Sequence, residues 1–208
     1  RNNLDASLHF PNDVKQLQTY FSKSNSTAMV RAFPGEGLDI PIWILGSSTD
    51  SAYLAAQMGL PYTFAAHFAP THFRQAIAIY REHFRPSAYL DKPYVMACVN
   101  VLGADTDEEA SALLSSLIAM FVGVITNVRR PLQAPGQLPA EYNIPEVRST
   151  INSMLACTFT GNSASLRTKL SDFIDDTQID ELMVATYIYD NEAKLKSFSI
   201  LRDALENV

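Results

Sequence analysis

The sequence predicts an α/β fold, a parallel sheet wrapped by helices, on three observations. Short apolar runs alternate with longer stretches whose apolar residues recur every three to four positions, the signature of successive βα units. The apolar runs do not alternate with polar residues, which points to strands buried on both faces, as parallel strands are. The chain has 208 residues and 47% hydrophobic content, enough for one sizeable core, so residues 1–208 are expected to form a single domain.

The elements follow in order. Phe10-Pro11-Asn12 opens a helical pattern carried by Val14, Leu17 and Phe21. A polar loop with Pro34, Gly35 and Gly37 follows. Ile40 to Leu45, "IPIWIL", reads as a buried strand, and Ser51 to Met58 as a helix capped by Gly59 and stopped by Pro61. "YTFAAHF", Tyr62 to Phe68, is the next strand. Thr71 to Phe84 is a helix with Phe73, Ala76, Ile77, Tyr80 and Phe84 on one face. "YVMACVNVLGA" is a third strand. Asp107-Glu108-Glu109 sit at the positive end of the next helix, whose stripe is Ala110, Leu113, Leu114, Leu117, Ile118 and Phe121. Residues 127–145 hold four prolines and read as an insertion loop. A short helix is expected over Glu146 to Leu155, then a turn at "TFTGN", then a helix through Leu166, Leu170 and Phe173. "DELMVATYIYD" is the fourth strand, and Asn191 to Leu205 the last helix.

The segment "IPIWILGSSTDS" carries the chemistry. In parallel α/β folds ligands gather at the carboxyl ends of strands. Gly46, Ser47 and Ser48 fall at such an end, and the following helix aims its N-terminus at the same place. Free N–H groups, the positive end of the helix dipole and the hydroxyls of Ser47, Ser48, Thr49 and Ser51 suit an anion such as phosphate. Ordinary capping of the helix by a serine is the competing reading of the same residues.

The stretch "IPIWILGSSTDSAYLAAQMGLPYTFAAHFAP" resembles the flavin-dependent luciferase-like monooxygenase family, and "YREHFRPSAYLDKPYVMACVNVLGADTDEEA" and "DELMV" extend the likeness over nearly the whole chain. The resemblance implies a (β/α)8 TIM barrel of which this chain supplies roughly the last four βα units. It implies reduced FMN, supplied by a flavin reductase, and less readily the deazaflavin F420. It implies activation of O2 and oxidation of a small organic substrate, such as an aldehyde. Carried over by position, Ser47, Ser48 and Ser51 match residues that contact the flavin phosphate, and Gly46 the strand-end glycine. The family's catalytic histidine falls in the amino-terminal half that this chain does not match, so no residue here takes that role. Open strand edges at Ile40–Leu45 and Glu181–Tyr189 then call for the missing half or for a homo-oligomer. A non-catalytic flavin-binding or interaction protein derived from the same fold is the alternative.

His67, at the end of the second strand, is a weak catalytic candidate and, with Phe68, a candidate for the substrate pocket; core packing competes for Phe68. Asn100, polar inside a buried strand, needs partners, with backbone favoured over flavin. His9, His72 and His83 read as surface residues. Arg129-Arg130 lies in the proline-rich loop, which in the family covers the mouth of the site; a lid and a solvated loop are its two readings.

A net charge of -6 and no Lys/Arg run argue against nucleic acid. Cys98 and Cys157 match no zinc or redox spacing and read as reduced core thiols of a cytoplasmic protein. No metal-ligand spacing appears, and no apolar run is expected to reach the roughly 18 residues that span a membrane. "RNNLDASLHFPNDV" lacks the apolar core of a signal peptide and begins without Met, as a fragment or processed product would.

Overall fold

The computed structural model describes residues 6–206. Five strands form one parallel sheet: β1 Ile44–Gly46, β2 Tyr62–Phe64, β3 Val95–Gly103, β4 Thr158–Gly161 and β5 Glu181–Ala185. The helices are α1 Ala6–Phe21, α2 Thr49–Met58, α3 Phe73–His83, α4 Asp107–Ile125, α5 Pro145–Met154, α6 Ser163–Thr177 and α7 Asn191–Leu205.

β3 organises the sheet. All nine of its residues are buried. Its backbone groups point to opposite edges in alternation. Tyr94 O accepts from Tyr62 N, and Asn100 N donates to Cys157 O. Even-numbered residues therefore address β2 and, further along the same edge, β4. Val95 O accepts from Asp180 N, so the opposite edge belongs to β5. The registers agree: Val95–Ala97 face β2, Asn100–Gly103 face β4, and Met96–Asn100 face β5.

The two faces of β3 serve different cores. Val95, Ala97, Val99 and Val101 join a cluster with Ala52, Ala55 and Ala56 of α2, Phe73, Ala76 and Tyr80 of α3, and Leu166 and Leu170 of α6. Leu102, on the other face, packs with Leu117, Ile118, Phe121 and Val122 of α4, Ile151 of α5, and Ile188. Each large aliphatic side chain so buried stabilises the fold by about 1.5–3 kcal/mol before the entropic cost of ordering it. The small alanines of α2 let that helix lie close to the sheet. Its end is fixed by Gly59 in the left-handed region (φ 61°), where a Cβ would lie 2.5 Å from Arg85 O.

Several expectations need correction. The sheet has five strands, not four: "TFTG" is β4 rather than a turn. It has only four residues, and pairing with the far end of β3 makes it a strand. Each of β1 to β5 is followed by a helix, so the described residues build five βα units where about four were expected, with α5 as an extra helix between α4 and β4. The first strand is Ile44–Gly46, not Ile40–Leu45. Pro41 has no N–H to give a ladder, and the ladder opens with Ile44 N donating to Pro61 O at 3.0 Å. Nor is it buried on both faces, since Leu45 is 63% exposed. The second strand stops at Phe64, where Ala66 N bonds back to Phe64 O (2.9 Å) and turns the chain. Among the described residues one helix, α4, is long and apolar enough by composition to cross a membrane; its stripe is packed against Leu102, Ile151 and Ile188. Leu138 and Tyr142 of the proline-rich loop pack against that same cluster, while Arg129 and Arg130 are exposed.

Asp107 joins the starts of two helices. Its carboxylate accepts from Asn162 N (2.8 Å) and Ser165 Oγ (2.7 Å), tying the first residue of α4 to the N-cap turn of α6. Those bonds, the Asn162 N–H first, hold its carboxyl below the ordinary range. A depressed carboxyl stabilises the fold above the unfolded value of about 3.9 and loses that contribution as pH falls through the folded value. Asp107→Ala is expected to lower the melting temperature by a few degrees at pH 7, and the difference from wild type should shrink below about pH 4. Calorimetric scans of both proteins between pH 7 and pH 3 check this; a difference independent of pH would remove the carboxylate from the account.

Candidate functional site

Because every strand runs the same way, every strand end and following helix start lies on one rim of the sheet. Four helices begin there with a side-chain cap. Ser48 Oγ accepts from Ser51 N, Thr106 Oγ1 from Glu109 N, Asn162 Oδ1 from Ser165 N, and Asp190 Oδ1 from Ala193 N. The rim collects the positive ends of four helix dipoles.

At the end of β1 the chain passes through Gly46, half-buried Ser47 and exposed Ser48 into α2. Ser51 turns inward rather than toward the rim. Its Oγ donates to Ser48 O (2.7 Å) and lies 3.0 Å from the Tyr62 hydroxyl, which is itself 3.2 Å from Ser48 O. Burial pushes the Tyr62 phenol up to about 12, with the Ser51 bond acting in the opposite direction, so Tyr62 stays a neutral partner. Gly46 makes room for this arrangement: a Cβ there would lie 2.0 Å from Ser51 Oγ and 2.3 Å from Ser51 Cβ. Ser48 does cap α2, at 3.3 Å. Capping and anion binding are compatible, because capping uses the N–H of Ser51 and leaves those of Thr49 and Asp50, which have no intrahelical acceptor. Ser47 is half-buried, exposed Ser48 turns its Oγ to Ser51, and Ser51 braces the turn from behind.

The end of β2 adjoins this turn through the bond from Ala65 N to Gly46 O (2.9 Å). His67 and Phe68 follow in the turn beyond the strand, their rings edge-to-face at 4.8 Å. Phe68 is 44% exposed, so core packing is not its role. His67 is half-buried, and burial pushes its pKa below the ordinary imidazole value, which keeps the ring neutral at pH 7. Its Nδ1 is buried without a hydrogen-bond partner. Asn100 finds backbone, as expected: its Nδ2 donates to His67 O at 2.5 Å and also reaches Thr158 Oγ1 at 3.1 Å.

The structure thus places Gly46, Ser47, Ser48 and Ser51 on one strand end and His67 and Phe68 on the next. Two residues of this region were missed. Tyr62 supports the serine turn, and Thr158 completes the bonds of Asn100. Neither carries a local signal: Tyr62 reads as one aromatic in a strand, and Thr158 lies in a strand the pattern did not show. His9, His72 and His83 are exposed. Cys98 and Cys157 are buried free thiols, and burial pushes Cys157 up to about 11, away from reactivity.

The family model for luciferase-like monooxygenases matches residues 17–181. Over 208 residues the chain is 38% identical to the protein YvbT of Bacillus subtilis strain 168, covering 100% of this chain and 62% of that protein. It is 38% identical over 200 residues to a protein named luciferase-like monooxygenase in Escherichia coli strain K12, covering 96% of this chain and 60% of the relative. Among solved structures, apo-MsnO8 superposes with a TM-score of 0.78 at 25% identity, covering 96% of this chain and 60% of that one. The chain therefore spans about three-fifths of the length of the relatives it matches.

Two substitutions probe the serine turn. Gly46→Ala must displace Ser51 and is expected to cost about 1–3 kcal/mol. Tyr62→Phe removes a buried hydroxyl from two partners and is expected to cost about 1 kcal/mol. Urea unfolding of each against wild type checks both; wild-type stability for Gly46→Ala would show that the turn relaxes freely.

Proposed function

The chain belongs to the luciferase-like monooxygenase family, and from that premise we propose that it forms part of a flavin-dependent monooxygenase. The enzyme takes reduced FMN from a flavin reductase and uses O2 to oxidise a small organic substrate, such as an aldehyde. The observation that carries this reading is the turn from Gly46 to Ser51. A glycine ends the strand where any side chain would strike Ser51, half-buried Ser47 and exposed Ser48 follow it, and the N–H groups of Thr49 and Asp50 are left without an intrahelical acceptor. These groups fit a phosphate monoester: short donors around a helix N-terminus, with no room taken by larger side chains.

When bound, the flavin supplies the redox chemistry, and the protein supplies binding, orientation and a site from which water is kept out. In this reading Ser47 and Ser48 hold the phosphate tail. Ser51, Gly46 and Tyr62 keep the turn in the shape that presents them. His67 and Phe68, on the adjoining strand end, border the substrate: Phe68 offers an apolar surface and His67 a neutral, hydrogen-bonding imidazole. F420 remains the second choice of cofactor, and a flavin-binding protein without catalysis the second choice of function.

The sheet supports completion of a barrel by further strands or by a second copy. Among the described residues β1 pairs with β2 alone and β5 with β3 alone. Leu45, Thr63 and Met96 form one row across the inner face and Cys98 and Met183 another. The ends of those rows, Leu45 at 63% and Met183 at 48%, are exposed.

Titration of the chain with FMN followed by fluorescence tests the phosphate assignment. The double variant Ser47→Ala/Ser48→Ala is expected to bind at least about tenfold more weakly, the loss of one or two hydrogen bonds to a charged group. Riboflavin, which has no phosphate, should bind both proteins equally. Unchanged FMN affinity removes the assignment, and F420 binding in place of FMN redirects the cofactor. Light scattering of the 23.0 kDa chain on its own is expected to show self-association, and a stable monomer would remove the requirement for covered edges.

A further inference from the structure

Asn100 lies within β3, which is buried along its whole length, and is itself 0% exposed. Its amide Nδ2 uses both protons, one on His67 O (2.5 Å) and one on Thr158 Oγ1 (3.1 Å), while its Oδ1 is buried with no partner. An unsatisfied buried acceptor is costly, and an apolar side chain of similar shape would avoid that cost. Stability of the strand alone therefore does not account for an amide here. What the amide does is join three elements: from within β3 it reaches to the turn after β2 and to the first residue of β4.

The His67 carbonyl is the point of attachment. The turn is closed on either side by Ala66 N to Phe64 O (2.9 Å) and Ala69 N to Ala65 O (3.3 Å). Fixing the carbonyl of His67 fixes the peptide plane between His67 and Phe68, and so the directions in which both side chains leave the backbone. The two rings are already in contact at 4.8 Å, so they move together.

We propose that Asn100 is a positioning residue of the rim: through the His67 carbonyl it sets the orientation of the His67 imidazole and the Phe68 ring, with Thr158 holding the amide in place. The functional meaning of that orientation rests on the rim being the site that the family reading makes it. The orientation itself does not depend on that reading, and it is measurable without any ligand.

The test is a proton–nitrogen NMR titration of the histidine rings in wild type, Asn100→Val, Thr158→Val and Thr158→Ser, with the His67 signal identified by its loss in His67→Gln. With the amide gone the turn opens to water. The His67 midpoint should then rise in Asn100→Val toward the ordinary value of about 6.5. Thr158→Val should move it the same way by less, and Thr158→Ser, which keeps the hydroxyl, should leave it at the wild-type value. His9, His72 and His83 serve as internal controls and should not move. An unmoved His67 midpoint in both valine variants overturns the proposal, even where the melting temperature falls, because a purely structural amide would alter stability alone. Should Asn100→Val fail to fold, Thr158→Val against Thr158→Ser gives the decision. FMN affinity measured on the same samples separates the two readings. Wild type that does not bind FMN but shows the His67 shift loses the flavin assignment and keeps the positioning role. FMN binding with no shift does the reverse.

Discussion

The structure depends on one strand having three neighbours. β3 is nine residues long, and its partners are three to five residues each. Strands that short supply too few bonds and too little buried area to hold themselves. They exist because β3 offers two full edges of backbone donors and acceptors and two apolar faces. Even-numbered backbone groups take β2 and then β4; odd-numbered ones take β5. The same alternation sends four valine and alanine side chains into the helix layer and turns Met96, Cys98, Asn100 and Leu102 to the opposite face. Position on β3 thus decides both which strand a residue serves and which core it enters.

The rim follows from that geometry. Parallel strands place every cap on the same side, and polar residues gather there because each helix start must satisfy its first N–H groups. Ser48, Thr106, Asn162 and Asp190 do this for four helices. The rim is also stitched sideways, by Ala65 N to Gly46 O, by Asn100 to His67 and Thr158, and by Asp107 to Asn162 and Ser165. Lateral bonds of this kind hold neighbouring loops in fixed relation, which a site assembled from several strand ends requires.

Much of this was legible in the sequence, and what was not has a common cause. α4, α6 and α7 carry long periodic stripes and side-chain caps, and β3 carries a long apolar run; all four lie close to where the pattern put them. The glycine at the end of α2 and the serine at its start were readable because local backbone chemistry decides them. β1, β2 and β4 were misjudged because the extent of a short strand is set by register against β3, not by its own residues. "IPIWIL" looks like six strand residues, but Pro41 withholds a donor. "TFTG" looks like a turn, yet it meets the free half of an edge. The candidate site divides the same way. The hydroxyl cluster is visible in the sequence, but the choice of Ser51 to face inward is made by Tyr62, eleven positions away. The partner of Asn100 could be named only as backbone until the turn after β2 was seen to fold over it.

The sharing of one edge of β3 between β2 and β4 has a consequence for how such a protein diversifies. β4 borrows only the last four residues of β3, on an edge that β5 does not use. Everything from the start of α4 to the end of β4 is therefore a cassette: it leaves the sheet and returns to it without disturbing the pairing of β3 with β5. Between Asp107, which is tied to α6, and Thr158, which holds Asn100, its contents can lengthen, shorten or be exchanged while the serine turn and the remaining strand ends stay where they are. A lineage built on this plan can alter what hangs over its rim as one unit and keep the serine turn unchanged.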